Sequence, residues 1–325
     1  MFHQSMKFTS SYKRLLNMAA FWSMLLLSVI FASSPVLAAK NKDSIIILVS
    51  KKFGPYLQCE KGVKDFVKRR WKRPFEMATI YLSEHSDLET KGKISQLSPT
   101  LAICIGTRAA YFLDGLKPHF PWVATFLLDK SIESLKSRPL LAVSMDVPIE
   151  VRIQTLCRIK KHVHAAVLGY KVPVSPIKPI ETGKCRDRDA YVIVSPFFSS
   201  IKTALQKVLE LSVNSFFITA DPRIFNSQEV VSYTLLWGLR NKIAVCGLSS
   251  GYVKNGALYS LEADVVALGS QAAGLALGYV NGKVKGETII QHPDKLLLSI
   301  NLKTAKRLGI EIPRSVMDEA FWVIE

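Results

Sequence analysis

The sequence predicts an α/β protein of two lobes, each a mostly parallel sheet with helices on both faces. Three observations predict it. The run Ile45-Ile46-Ile47-Leu48-Val49 is continuously apolar, as a strand buried on both faces of a parallel sheet must be. Short apolar runs then alternate with amphipathic stretches along most of the chain, which is the order of strand–helix–strand units. Finally, the chain has 325 residues. A single core stops growing near ~250–300 residues, and the strand candidates are too many for one sheet.

In chain order, the first strand is followed by a helix over 56–70, with Val63, Phe66 and Val67 on one face and Lys61, Lys64 and Lys68 on others. Further strands are expected over 75–81, 101–105, 122–126, 140–143, 165–168, 191–194, 216–219, 243–246 and 257–261. Helices are expected over 109–116, 149–160, 201–211, 228–239 and 265–280.

The N-terminus reads as an export signal. Residues 1–17 hold Lys7, Lys13 and Arg14 and no acid, residues 18–31 are apolar, and Val36-Leu37-Ala38 offers small residues at −3 and −1. Cleavage is expected after Ala38, with Ala39 as the second choice. The alternative is an uncleaved anchor, but the apolar run is roughly 14 residues against about 20 for a spanning helix. No Cys directly follows the cleavage point, so lipid anchoring is not expected. A soluble periplasmic protein is therefore expected, and a monomer.

The formal charge is +17, from 43 basic and 26 acidic residues. So basic a chain raises nucleic acid, anionic membrane or an acidic ligand as partners. Export removes nucleic acid, and loss of Lys7, Lys13 and Arg14 leaves +14. The five cysteines are Cys59, Cys104, Cys157, Cys185 and Cys246, an odd number without a C-x-x-C, so at most one pair is expected rather than a disulfide framework.

In open α/β sheets ligands bind beyond the carboxyl ends of the strands. The residues there are Ser50 to Tyr56, Gly106-Thr107-Arg108, Leu128-Asp129, Gly169-Tyr170, Ala220-Asp221-Pro222 and Gly247-Leu248-Ser249-Ser250-Gly251. Several carry hydroxyls, carboxylates or rings.

Five segments resemble one family. Residues 300–313, Ile-Asn-Leu-Lys-Thr-Ala-Lys-Arg-Leu-Gly-Ile-Glu-Ile-Pro, resemble the tail of ABC transporter substrate-binding proteins of the tryptophan/tyrosine type. Val253-Lys254-Asn255-Gly256 and residues 264–282, with Gly269, Gln271 and Gly282, are similar to its penultimate strand and helix. Ile105-Gly106-Thr107-Arg108-Ala109-Ala110 resembles its first-lobe loop, and Tyr56 through Gly62 its first helix. The resemblance implies a type I periplasmic-binding-protein architecture, two Rossmann-like lobes closing on a small ligand, with an ABC permease and ATPase at the inner membrane as partners. It divides the chain into a signal peptide at 1–38, a first lobe at 39–145 plus 264–282, and a second at 146–263 plus 283–325. Two departures stand out. Three prolines alternate over 171–179 where the family has a helix, so the second lobe is expected to lack one. Asp129 is followed by Lys130 in place of the family's Pro.

The candidate ligand residues each have a plain alternative. Thr107 can N-cap the following helix, whose free amides and positive dipole end suit a carboxylate, or it caps a helix that meets only water. Asp221 suits a ligand ammonium or serves as a turn residue, and Asp129 carries the same ambiguity. Ser249 and Ser250 donate to ligand oxygens or cap the turn before Gly251. Tyr56, Phe53 and Tyr170 can stack on an aromatic ligand, or the first two pack the first helix. Arg108 can hold an anion or remain a solvated side chain. His162, His164 and Cys157 lack a carboxylate that would complete a metal site, so no metal or other cofactor is expected. The basic cluster at 68–73 is an anionic-membrane patch or a solvated helix end. No nucleophile–base motif occurs, so no enzyme is expected. The reading is a periplasmic solute-binding protein of an ABC importer that clamps an amino acid, an aromatic one or a related small carboxylate. The alternative is an exported sensor or interaction protein that keeps the fold without transport.

Overall fold

The computed structural model describes residues 42–169, 200–284 and 288–325, and the backbone of 188–194. The signal segment, the Pro-rich stretch at 171–179, Tyr170 and Cys185 lie outside the described residues. Residues Ser44–Glu325 form one compact unit.

The first sheet is built by β1 (Asp43–Val49), α1 (Gly54–Arg70), β2 (Phe75–Tyr81), α2 (Asp87–Leu97), β3 (Leu101–Ile105), α3 (Thr107–Leu116), β4 (Trp122–Leu127), α4 (Asp129–Glu133) and β5 (Leu141–Ser144). The chain then enters the second sheet through α5 (Ile149–Ile159), β6 (Val163–Gly169), β7 (Arg188–Val194), α6 (Ile201–Glu210), β8 (Ser215–Phe217), α7 (Gln228–Arg240), β9 (Ala244–Gly247), α8 (Ser250–Lys254) and β10 (Tyr259–Ala263). It returns to the first sheet with α9 (Val265–Val280) and β11 (Ile289–Gln291). It ends in the second with β12 (Leu296–Asn301), α10 (Leu302–Leu308), α11 (Arg314–Met317) and β13 (Trp322–Ile324).

The strand orders are β11-β5-β4-β3-β1-β2 and β13-β12-β10-β9-β8-β6-β7. The pairs β1–β3, β3–β4, β4–β5 and β5–β11 are parallel, as are β6–β7, β6–β8, β8–β9, β9–β10 and β12–β13. Only β10–β12 among the described pairs is antiparallel. The lobe boundary expected after residue 282 is corrected by β11, whose Ile289, Ile290 and Gln291 pair with Leu141, Ala142 and Val143 of β5. Three residues between loops carry too little periodicity to announce a strand.

Period-2 alternation explains the layers. Ile45, Ile47 and Val49 face one core with α1 and α9, while Ile46 and Leu48 face the core under α3. In the second sheet Ala165 and Val167 face one core, and Ala166 and Leu168 the other. Helix starts follow side-chain caps: a full capping box at Ser86 and Glu89 for α2, Ser227 for α7, Asp264 for α9 and Asn301 for α10.

The closest helix contact is α1 against α9. A Cβ on Gly62 would lie 1.9 Å from Val266 O, and one on Gly269 would lie 2.0 Å from Cys59 O. Ser270 Oγ donates to Gly62 O at 3.0 Å across the same seam. The returning helix is thus seated backbone-to-backbone on the first helix.

Cys59, Cys104 and Cys246 are free and buried, and Cys157 is disulfide-bonded, which takes it out of any grouping with His162 and His164. Among the described residues no helix is long and apolar enough to cross a membrane.

Candidate functional site

The first-lobe half of the site is assembled where β1, β3 and β4 end. Ser50 directly follows β1 and is buried; its N donates to Ile105 O at 3.0 Å, and its Oγ accepts from Ala109 N at 3.0 Å. This ties the loop after β1 to the first turn of α3. Between them sits Gly106 at φ +90°, where a Cβ would meet Tyr56 Cε1 at 2.5 Å and Ser50 Oγ at 2.7 Å. Glycine is required there by both its φ and the close approach.

The ring of Tyr56 therefore lies over the start of α3. It also meets Phe126 edge-on, with centroids 4.9 Å apart and planes at 70°. Phe126 takes φ +60° beside the register shift between Thr125 and Leu127, so a bulge turns its ring toward the strand end. Phe53 stands outside this pair and is 63% exposed.

Thr107 lies beside this aromatic pair, but it is not the cap. Gly106 occupies the N-cap and Thr107 is the first helical residue, without a side-chain cap bond. The expected capping role is corrected because Gly106 supplies the non-helical backbone. With Ala109 N taken by Ser50 Oγ, the amides of Thr107 and Arg108 are the remaining first-turn donors of α3. The Arg108 side chain points elsewhere, pairing with Asp87 at 3.3 Å with both partners exposed.

Asp129 begins α4 and joins the segments that cross between the sheets. Its N donates to Asp146 Oδ2 at 2.8 Å, and its Oδ2 lies 3.2 Å from Nε2 of His292, which follows β11. Gln271 Nε2 donates to His292 O at 2.9 Å, and Asp294 N donates to Gln271 Oε1 at 3.2 Å. Burial pushes the Asp146 carboxyl up from its ordinary range, and the neighbouring Asp129 charge adds to this. At the remaining crossing Asp264 N donates to Lys295 O at 3.0 Å, and Lys295 Nζ lies 2.8 Å from Asp264 Oδ2.

The second-lobe half presents acceptors. Asp221 forms a local turn with Arg223, whose Nε donates to Oδ1 at 2.8 Å and whose N donates to the same oxygen at 3.0 Å. The Arg223 bond holds its carboxyl below the usual range, and Lys130 of the first lobe is among the charges acting the same way. Ser249 takes the N-cap position of α8 without a side-chain cap bond, and Ser250 N donates to Glu262 Oε1 at 3.0 Å. The Ser250 amide at the start of α8 is thus already met by a carboxylate of the protein.

Behind these loops lies Arg152, 5% exposed, donating to Ile218 O at 3.0 Å, Cys246 O at 3.3 Å and Gly247 O at 3.1 Å. It locks together the ends of β8 and β9, from which the Asp221 and Ser249 loops leave. Burial lowers its own basicity.

The structure brings Tyr56 and Thr107 into one cluster, and sets Asp221 under the influence of Lys130 across the lobes. It ties Asp129 to the crossings and Arg108 to Asp87, and Tyr170 lies outside the described residues. Sequence reasoning missed Phe126, Asp146, Glu262 and His292. Phe126 and His292 carry no local signal, whereas Asp146-Val147-Pro148 after a strand is a readable loop start.

The family model of ABC transporter substrate binding proteins matches residues 196–324. The likeness of fold extends over most of the chain. A ligand-free, open substrate-binding protein with adhesive properties from Clostridium difficile superposes with a TM-score of 0.61 at 16% identity, covering 87% of this chain and 99% of that one. An ABC domain in complex with L-Trp from Streptococcus pneumoniae gives 0.51 at 18% identity, covering 87% and 100%. A conserved domain protein from Vibrio cholerae gives 0.52 at 18% identity with the same coverage. No curated protein matches in sequence. The fold is the type I periplasmic-binding-protein architecture that the resemblance implied, and the match to the substrate-binding family model lies in residues 196–324.

Proposed function

We propose that the chain is the exported binding component of an ABC importer, and that its two lobes close on an amino acid with an aromatic or bulky apolar side chain. The observation that carries this reading is the pairing of an aromatic surface with a helix start. Tyr56 and Phe126 lie directly beside the first-turn amides of α3, so a carboxylate on those amides places a ligand side chain against the rings. The facing half carries Glu262, whose charge suits an ammonium group, and Asp221 paired with Arg223. Hinge motion at the three crossings brings the halves together, and the closed form is what a permease recognises.

Thermal shift tests this. L-Tryptophan, L-tyrosine or L-phenylalanine should raise the melting temperature, because a ligand held only by the native state stabilises it by about 2.7 kcal/mol at a hundredfold excess over Kd. Tryptophanamide, which lacks the carboxylate, and indole-3-propionate, which lacks the ammonium, should shift it far less. If none of the amino acids moves the melting point, the amino-acid reading is wrong.

A further inference from the structure

The first sheet has a second functional end. β1, β3, β4, β5 and β11 run parallel, and Leu82 N donates to Val49 O at 2.9 Å where β2 and β1 finish together. All strand starts therefore lie at one end of the lobe, opposite the loops of the candidate site.

The segments entering these starts are basic. Lys72 precedes β2, Lys117 and His119 precede β4, and Lys136 and Arg138 precede β5; all are exposed. Exposed Lys283 leads from α9 toward β11, and α1 ends at the same side with exposed Lys68, Arg69 and Arg70. The C-terminal dipole of α1 accounts for the last three. It does not account for the cations on the loops before β4 and β5.

The acids at this end are fewer than the cations: Asp43 opens β1 and Glu76 is the second residue of β2. α9, packed along α1, contains no charged residue. Asp114 accepts from Ser137 Oγ at 2.6 Å, Ser137 N at 2.8 Å and Lys136 N at 3.0 Å, so it is spent on holding the basic loop. A cavity of about 910 Å³ opens among these loops, with Tyr111, Trp122 and Tyr279 in its wall and Lys117, Lys136 and Arg138 around it.

We propose that this end of the first lobe docks on an anionic phospholipid surface. The cations are spread over the whole strand-start end rather than gathered round one point, which matches a plane of phosphates. The exposed ring of Tyr111 among them is of the kind that settles at headgroup level.

Co-sedimentation of the purified protein with vesicles rich in phosphatidylglycerol, against phosphatidylcholine alone, tests this. Binding should favour the anionic vesicles and fade at high salt. The triple variant Lys117→Gln/Lys136→Gln/Arg138→Gln should lose about a hundredfold in affinity, and Lys68→Gln/Lys72→Gln should also weaken it. A charge-matched control on the second lobe, Lys303→Gln/Lys306→Gln/Arg307→Gln, should stay within about twofold of wild type. Equal loss in the triple variant and its control reduces the effect to overall net charge and overturns the proposal. No preference for anionic vesicles also overturns it and leaves an acidic protein as the occupant of this face.

Discussion

Replacing Gly62 with alanine should destabilise the protein although alanine is the better helix former. The added Cβ would sit 1.9 Å from Val266 O and 2.9 Å from Val266 C, both backbone atoms that cannot rotate away. A carbon–oxygen contact needs about 3.3 Å, so α1 and α9 must part by roughly 1.4 Å. That separation loosens the core they share through Cys59, Val63, Leu268 and Ala272, and strains the Ser270 bond to Gly62 O. Overpacking of this kind costs about 1–3 kcal/mol and at times more, while helix propensity returns about 1 kcal/mol. A forced backbone–backbone clash belongs at the upper end, for a net loss of about 2 kcal/mol. The matched control is Gly92→Ala in α2, an exposed helical glycine whose Cβ would meet nothing within 4 Å. It should gain about 0.5–1 kcal/mol from propensity alone. Calorimetry of both variants reads the difference, at about 2–4 °C per kcal/mol for a chain of this size. A Gly62→Ala protein as stable as Gly92→Ala would refute the close seam.

Two carboxylates should respond to pH with opposite sign. Asp146 has a raised folded pKa, so its contribution to stability is full below its unfolded pKa and is lost as pH rises through the folded one. Asp146→Asn, which keeps an acceptor for Asp129 N, should therefore melt higher than wild type at neutral pH and match it in acid. Asp264 is depressed: burial opposes its charge, but Lys295 and the Val266 and Ala267 amides outweigh that. Its contribution is present above its unfolded pKa and lost as pH falls through the folded one. Asp264→Ala should cost about 1 kcal/mol at neutral pH and progressively less in acid, as thermal melts across the range would show. Thiol titration of the denatured, unreduced protein should find Cys59, Cys104 and Cys246 only, with reduction adding two more; five thiols before reduction would exclude the Cys157 bond.

The sheets were legible because burial on both faces leaves an unmistakable apolar run. The strands at Phe75–Tyr81 and Leu101–Ile105 fall where the sequence places them, and α9 does as well. α2 was missed because it buries only Thr90 and Ile94, too few to mark a face; its Ser86-x-x-Glu89 capping spacing was the available signal. β10 runs two residues beyond the expected end at Leu261, and that shift hid Glu262 in a supposed loop. Thr107 was read as a cap by residue type, whereas Gly106 can adopt the φ the entry to α3 needs. Phe126 owes its place to a bulge, a property of pairing between strands that no single segment reports.

Charge placement in the two halves gives the proposed ligand an orientation. Two helices start at the site, α3 from the first lobe and α8 from the second, and either could in principle attract a carboxylate. At α8 the Ser250 amide is already bonded to Glu262, so an incoming carboxylate would meet a negative charge and a spent donor. At α3 the protein supplies only the neutral Ser50 hydroxyl, to Ala109 N, and leaves the Thr107 and Arg108 amides beside the Tyr56 ring. A zwitterion entering between the halves would be sorted by electrostatics, carboxylate toward α3 and ammonium toward Glu262, since Asp221 is already paired with Arg223. Its side chain is left against Tyr56 and Phe126, so the aromatic pair rather than the charged groups would set which amino acid is preferred.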